Sequence, residues 1–173
     1  MRSAPDLAGE PGAAAALAAL AHRSQTLATA ESLTGGLIGH LLTSVPGASA
    51  CYVGGVISYA TRLKHDLAGV STGTLQTLGP VAERTAEEMA AGVAERCSAD
   101  WGLAVTGVAG PQPQDGHPVG QVYVGLACPR LRWSQVRELR LSGDRTAIRE
   151  QTAAAALALL TDALRDGGPA DGC

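Results

Sequence analysis

Residues 26–36, TLATAESLTGG, contain the change from a strand to a helix on which the fold prediction rests. Residues 26–30 form a short β-prone run, and a helical stretch follows the two glycines to about residue 44. The sequence VPG at 45–47 then ends the helix. Interleaved strands and helices of this kind are typical of α/β proteins. The stretch therefore predicts the start of an α/β domain.

The pattern continues along the chain with helices and strands interleaved early and a hairpin late. It predicts a three-layer α/β/α fold of a single domain over 12–165, with a mixed sheet covered by helices on both faces. Residues 1–11 and 166–173 are expected to be flexible tails. The predicted helices are 12–24, 81–96 and 144–164, with helical or turn pieces at 61–69 and 72–78. The predicted strands are 52–59 (buried), 101–106 (buried), 121–128 and 133–141 (half-exposed), and a Gly/Pro loop covers 107–118.

Composition excludes several classes of protein. The chain has 173 residues, a length typical of one domain, and only 17% of them are charged, with a net charge of -3. A nucleic-acid-binding surface would need clustered basic residues and exposed aromatics, whereas the chain contains no Phe and few other aromatics. No apolar run approaches a membrane span. The N-terminal run over 13–21 lacks the positive residues that precede a signal peptide core. We expect a soluble, cytoplasmic protein with no membrane or nucleic-acid partner, and the Ala-rich helices are compatible with a homo-oligomer.

Cysteine and histidine spacing predicts no metal site and no disulfide framework. The four cysteines are scattered without a CxxC pair, which indicates reduced thiols in a cytosolic protein. The histidines show neither HxxxH nor HExxH spacing, and no acidic residues cluster with them. Neither a metal nor another cofactor is expected. The residues concerned are Cys51, Cys97, Cys128, Cys173, His22, His40, His65 and His117.

The first candidate site is the turn that leads into the second helix. A helix start that contains Thr34, Gly35 and Gly36 exposes backbone N–H groups at a positive helix end, which suits an oxyanion or a phosphate. Ser32 could act as a nucleophile if a base lies nearby. The alternative is that Ser32 or Thr34 only caps the helix.

Lys64 is the second candidate, because it is the only lysine beside twelve arginines. Arginine stays charged, whereas a desolvated lysine can lose its proton and serve as a base. The alternative is a surface cation without a special role. Tyr59 lies five residues earlier and could donate a hydrogen bond to the nucleophile or the substrate, although a single tyrosine in a strand is often a core residue.

Two further segments could bind the substrate. Thr106, Gly107 and Gly110 follow a buried strand, at the edge of the sheet where α/β proteins bind ligands, unless the segment is a plain strand exit. Arg145 falls in the first turn of the last helix, where it opposes the helix dipole, and this placement suggests a role in binding an anion. Asp144 can cap that helix, and Arg149 is interpreted as part of a solvated charged face.

Six motifs in order resemble the CinA C-terminal domain family, which includes nicotinamide mononucleotide amidohydrolases. They cover about residues 12–165, and we expect no counterpart of the separate N-terminal domain of longer CinA proteins. The motifs are TAESLTGG, VPGAS, GGVISYATRLKHDLAGV, GPVAERTAEEMAAGV, AVTGVAGP followed by PVGQVYVG, and SGDRTAIR.

The resemblance implies an α/β/α fold and deamidation of nicotinamide mononucleotide to nicotinate mononucleotide and ammonia, a step of pyridine nucleotide salvage. It implies that Ser32 and Lys64 form a Ser–Lys dyad with Tyr59 beside it. The helix start at 34–36 would then stabilise the oxyanion, and Arg145 with the 107–110 loop would hold the ribose phosphate.

Three positions differ from the family pattern. Leu33 stands where Cys is frequent, Thr61 stands where Asn is usual, and His117 takes the place of a Lys in a shortened loop at 112–118. The loop leaves two hypotheses open. The chain is either an amidohydrolase for this nucleotide or a near relative, or a catalytically weak module that binds a nucleotide or a protein partner in a competence or DNA-damage response.

Overall fold

The computed structural model describes residues 10–165, and its elements follow the predicted order. The first helix begins at Glu10, two residues before the predicted start, and the rest of both predicted tails lies outside the described residues. The helices are α1 (Glu10–His22), α2 (Leu37–Thr43), α3 (Thr61–Asp66), α4 (Thr72–Thr77), α5 (Glu83–Arg96) and α6 (Arg145–Arg165). The strands are β1 (Leu27–Glu31), β2 (Tyr52–Ile57), β3 (Trp101–Gly107), β4 (Gln121–Cys128) and β5 (Trp133–Arg140).

The five strands form one mixed sheet in the order β2-β1-β3-β4-β5. Strands β2, β1 and β3 run parallel, and β4 and β5 continue the sheet antiparallel as the predicted late hairpin. Helices α1, α2 and α6 cover one face and α5 covers the other, so the predicted three-layer α/β/α architecture is confirmed.

Alternating residues along the strands supply two different cores. Leu103 and Val105 point toward α1, α2 and α6, whereas Ala104 points toward α5. On the α5 side the strands contribute alanines to the core, and the helix backbone lies close to the sheet. A Cβ atom at Gly102 would clash with the backbone of Ala90, so this close packing requires a glycine.

Strand β2 differs from its prediction as a buried strand. It lies at the edge of the sheet and pairs only with β1, and Val53 and Ile57 are each 52% exposed. A run of apolar residues indicates a strand but does not distinguish a central position from an edge, because that position depends on which strands pair in space. The strand also ends at Ile57, two residues before the predicted end at Tyr59.

The ends of the three parallel strands meet at one edge of the sheet. In the register, Glu31 of β1 pairs with Ile57 of β2 and with Val105 of β3. The segments that follow these strands therefore lie side by side, as at the ligand-binding edge of other α/β sheets. Within the described residues, no helix combines the length and the hydropathy that a membrane span needs.

Candidate active site

A polar pocket lies at this edge of the sheet and collects most of the residues that the sequence analysis selected. Its walls come from the turn after β1, the segments around α3, the loop after β3 and the start of α6. The lining residues are Ser32, Leu33, Tyr59, Thr61, Lys64, Pro80, Val81, Thr106, Gly107, Val108, Ala109, Gly110, Gln112, Gln114 and Arg145.

Ser32 and Lys64 are in direct contact at the bottom of the pocket. Lys64 Nζ lies 2.9 Å from Ser32 Oγ and donates a second hydrogen bond to the carbonyl oxygen of Ser58, also at 2.9 Å. The Lys64 side chain is only 2% exposed, and Ser32 is 7% exposed. The interpretation of Lys64 as a surface cation is therefore wrong.

Burial lowers the pKa of Lys64 from 10.5 to about 8, because the charged amine loses its hydration. At pH 7 about one tenth of the lysine side chains with this pKa are neutral, compared with fewer than about one in a thousand at the ordinary pKa. A neutral amine within hydrogen-bonding distance of a serine hydroxyl can accept its proton, so the pair has the geometry of a nucleophile and its general base.

The helix start after Ser32 is occupied by a side chain of the protein itself. Glu31 is 2% exposed, and its Oε2 accepts hydrogen bonds from Thr34 Oγ1 at 2.6 Å, from Gly36 N at 3.0 Å and from Ile38 N at 3.1 Å. Its Oε1 accepts a bond from Gly39 N at 2.9 Å. An internal carboxylate thus takes the position at which the sequence analysis expected a ligand anion.

Thr34, Gly35 and Gly36 do not belong to the pocket lining, and their assignment as substrate-binding residues stays a prediction. Thr34 is fully buried, and the Gly35 N–H donates to the carbonyl oxygen of Ser32. The capping alternative is wrong: the N-cap of α2 is Gly36, and two N–H groups of the first helical turn donate to the Glu31 side chain rather than to the hydroxyl of Ser32 or Thr34. The two glycines have positive φ angles of 58° and 101°, so they allow the turn itself rather than the approach of a ligand.

The turn retains two backbone donors close to the nucleophile. Within the described residues, no acceptor is found for the N–H of Leu33 or for that of Thr34. Buried N–H groups are paired in most native structures. Of these two residues Leu33 lines the pocket, so its N–H is the candidate donor to an oxyanion, whereas Thr34 lies buried outside the lining.

Arg149 holds the outer side of the same turn, a role that the sequence analysis missed. Its Nε donates to the Leu33 carbonyl at 3.0 Å and its Nη2 to the Thr34 carbonyl at 2.8 Å. The interpretation of Arg149 as part of a solvated face is wrong. The available signal was its spacing, because residues four apart share a helix face and Arg145 was already a candidate.

Arg145 and Tyr59 contact each other at the rim of the pocket. Arg145 donates to Tyr59 Oη at 2.9 Å and to the Gly110 carbonyl at 2.7 Å. No carboxylate within the described part of the chain forms a salt bridge with Arg145, so its charge is available to an anion. Tyr59 is 59% exposed, which excludes the core interpretation. The predicted cap is present, since Asp144 accepts a bond from Ala147 N at 2.8 Å.

The end of β3 and the loop that follows it line the pocket, but Thr106 and Gly107 at the strand end serve the fold. The Thr106 hydroxyl is buried and donates to the Pro80 carbonyl at 2.6 Å. A Cβ at Gly107 would lie 2.6 Å from the Gln121 carbonyl, so β4 rather than a ligand requires this glycine. Gly110 has a φ of 85° and contributes its carbonyl to Arg145.

The loop over 112–118 places glutamines rather than a basic residue toward the pocket. Gln112 and Gln114 belong to the lining, whereas His117 does not. His117 Nδ1 instead lies 2.9 Å from Oε1 of Gln121. Among the residues that the structure describes, no group of three or more His, Cys, Asp or Glu side chains could hold a metal ion.

Comparison with known proteins gives consistent matches. The family model of the CinA C-terminal domain matches residues 10–164. A CinA-like protein of Frankia casuarinae is 52% identical over 144 residues, which are 83% of this chain and 33% of the relative. A putative competence-damage inducible protein of Geobacillus kaustophilus is 47% identical over 134 residues, covering 78% of this chain and 32% of the relative. The chain thus spans about one third of the length of these curated relatives.

Solved structures show the same fold over almost the whole chain. The competence/damage inducible protein CihA of Agrobacterium tumefaciens has a TM-score of 0.86 at 37% identity, with 95% of this chain and 99% of that chain covered. A CinA superfamily protein of Klebsiella pneumoniae has a TM-score of 0.87 at 29% identity, with coverage of 91% and 98%.

Proposed function

The chain belongs to the CinA C-terminal domain family, and we propose that it is an amidohydrolase that converts nicotinamide mononucleotide to nicotinate mononucleotide and ammonia. The buried contact of 2.9 Å between Ser32 Oγ and Lys64 Nζ carries the proposal. A lysine with a lowered pKa, in a pocket and against a serine hydroxyl, has the properties of a general base. The reaction as proposed requires no cofactor.

In the first half of the reaction, neutral Lys64 accepts the hydroxyl proton of Ser32, and the oxygen attacks the carboxamide carbon of the substrate. The carbonyl oxygen becomes an oxyanion, to which the N–H of Leu33 in the pocket lining donates. Donors of this kind contribute about 3–4 kcal/mol each in other hydrolases. This assignment replaces the one based on the glycine amides, because Gly36 donates to Glu31 and Gly35 to Ser32.

In the second half, the C–N bond breaks and the amide nitrogen takes the proton from Lys64, so that ammonia leaves. The substrate acyl group then forms an ester with Ser32. A water molecule attacks this ester while Lys64 accepts one of its protons. Return of that proton to Ser32 releases the carboxylic acid and restores the resting pair.

Binding of the nucleotide is assigned to the rim of the pocket. The Arg145 guanidinium has no carboxylate partner among the described residues and can pair with the ribose phosphate. The backbone of residues 107–110 lines the same side of the pocket. The pyridine ring would then extend toward Ser32, which places its carboxamide near the buried pair.

A second candidate is a module that binds a nucleotide or a protein partner without turnover, within a competence or DNA-damage response. The loop at 112–118 favours it, because Gln112 and Gln114 reach the pocket where the related enzymes have a glycine-rich segment with a lysine. Amide side chains form hydrogen bonds but do not neutralise a phosphate. The two glutamines of this loop should therefore affect which substrate the pocket binds.

The deciding experiment measures ammonia release from nicotinamide mononucleotide and, separately, binding of the same nucleotide by calorimetry. We expect turnover by the wild type, and a loss of several powers of ten in Ser32→Ala with binding retained. Ser44→Ala, on the exposed end of α2, is the matched control and should keep full activity. Binding without turnover in the wild type would instead support the second candidate, and equal turnover in wild type and Ser32→Ala would remove Ser32 from the mechanism.

A further inference from the structure

Two residues that contact each other, Ser58 and Lys64, each have a side-chain hydrogen-bonding group left unmatched. Among the described residues, Ser58 Oγ is the single buried side-chain oxygen or nitrogen without a hydrogen-bond partner, and Ser58 is fully buried. Lys64 has two hydrogen-bond acceptors within the described residues, Ser32 Oγ and the carbonyl oxygen of Ser58. A charged lysine has three N–H donors, so one donor is left over.

The unpaired hydroxyl of Ser58 can accept the hydrogen bond that the remaining N–H of Lys64 can donate, and the two residues are in contact. A buried hydroxyl or ammonium donor without a partner is costly, and native proteins rarely contain one. The carbonyl that Lys64 already contacts belongs to Ser58 itself, so the unused hydroxyl is attached to the residue that holds the amine. The Ser58 backbone is fixed in turn, because its N–H donates to the Glu31 carbonyl at 2.8 Å.

We propose that Ser58 is a positioning residue for the general base, and that its hydroxyl accepts the third N–H of Lys64 when Lys64 carries the proton taken from Ser32. Rotation about the Cα–Cβ bond of Ser58 is the movement that this contact requires, and it leaves the backbone contact with Lys64 in place. The ammonium then has acceptors in Ser32 Oγ, Ser58 O and Ser58 Oγ. Two of the three N–H groups of Lys64 then donate to Ser58, and the remaining N–H group points toward Ser32 Oγ. The catalytic part of this inference rests on the proposed function; the contact itself does not.

Other ionisable groups do not account for such an effect. The ionisable side chains that line the pocket with Lys64 are Tyr59 and Arg145, and these two are hydrogen-bonded to each other. The lowered pKa of Lys64 has burial as its cause, with no contribution from a neighbouring charge. A change in the titration of Lys64 after removal of one hydroxyl would therefore report the contact between the two residues.

The chain offers a direct test because Lys64 is its only lysine. Protein labelled with [13C]lysine gives one lysine side-chain set of NMR signals, and the ε-carbon shift measured against pH yields the pKa of Lys64. We expect Ser58→Ala to lower this pKa by about one pH unit, because the charged form loses a hydrogen-bond acceptor. The acid limb of the pH–rate profile should move by the same amount. Thr161→Val removes another buried hydroxyl, near the far end of α6, and should leave the titration unchanged.

The outcomes separate this inference from the proposed function. Identical titration curves for the wild type and Ser58→Ala would overturn the inference, whether or not nicotinamide mononucleotide is hydrolysed. A lower melting temperature of Ser58→Ala with an unchanged Lys64 titration would show a purely structural hydroxyl and would overturn it as well. A shifted titration in a protein that releases no ammonia would support the contact and refute the proposed function.

Discussion

Replacement of Lys64 by methionine should remove activity and at the same time stabilise the protein at neutral pH. Methionine has a similar length and no charge, so it can fill the site of the buried lysine. The lysine must be charged at pH 7 in most molecules although it is 2% exposed, and this charge is unfavourable in the folded chain. A base that is buried for catalysis should therefore lower the free energy of unfolding.

The magnitude follows from the pKa. The drop from 10.5 to about 8 corresponds to about 3–4 kcal/mol at about 1.4 kcal/mol per pH unit. Methionine forfeits the two hydrogen bonds of Lys64 Nζ, which contribute about 1 kcal/mol each. Lys64→Met should thus be more stable than the wild type by about 1–2 kcal/mol at pH 7, which raises the melting temperature by a few degrees.

The difference should change sign with pH. Between pH 8 and pH 10.5 the unfolded wild-type chain binds more protons at Lys64 than the folded chain does, so the wild type gains stability as the pH rises through this window. Above it, Lys64 is neutral in both states and carries no charge penalty. Lys64→Met should then be the less stable protein by about 1–2 kcal/mol, because only the lost hydrogen bonds remain.

The assay is thermal melting of both proteins from pH 6.5 to pH 10.5, with ammonia release measured on the same samples. Arg62→Met is the control, because Arg62 lies on the same helix with 76% of its side chain exposed. The difference in melting temperature between Arg62→Met and the wild type should not vary with pH. A stability difference for Lys64→Met that stays constant across the window would refute the argument that burial lowers the pKa of this lysine.

Three further predictions follow from the site. Lys64→Arg should abolish ammonia release, because arginine keeps its proton and cannot act as a base; near-normal turnover would remove Lys64 from its assigned role. Glu31→Gln should lower kcat by about tenfold or more with little change in KM, because the amide cannot accept all four hydrogen bonds that hold the turn after β1. An increase in KM with an unchanged kcat would contradict a positioning role. EDTA should leave turnover unchanged, and a loss that zinc or manganese restores would show that a metal takes part.

Several parts of the site could be predicted because their signals are local in the chain. The order of the elements follows from runs of apolar residues and from glycine and proline breaks, and each boundary depends on a few neighbouring residues. Ser32 stands in a strand–turn–helix segment, and Lys64 is conspicuous as a single lysine. The resemblance to the family connected the two residues before their contact was known. Arg145 was selected because its charge opposes a helix dipole, and it lies at the pocket rim.

Other parts could not be predicted, because they depend on which groups meet in space. The glycines after Ser32 suggested an empty anion site. In the structure, however, the N–H groups at this helix start donate to the carboxylate of Glu31. No sequence pattern distinguishes a buried N–H group that donates to a protein acceptor from one that is left free to donate to a ligand. In the same way, Arg149 looked like a surface charge until its partners, the carbonyls of residues 33 and 34, were in place.

The sequence by itself determined the α/β class, the order of the elements and the residue types capable of the chemistry, since propensity and periodicity act between neighbours in the chain. The tertiary structure alone decided that β2 is an edge strand, that Glu31 fills the helix start and that Lys64 lies 2.9 Å from Ser32. It also decided the pKa of Lys64, because desolvation depends on the atoms packed around the amine and 32 residues of chain separate it from its partner.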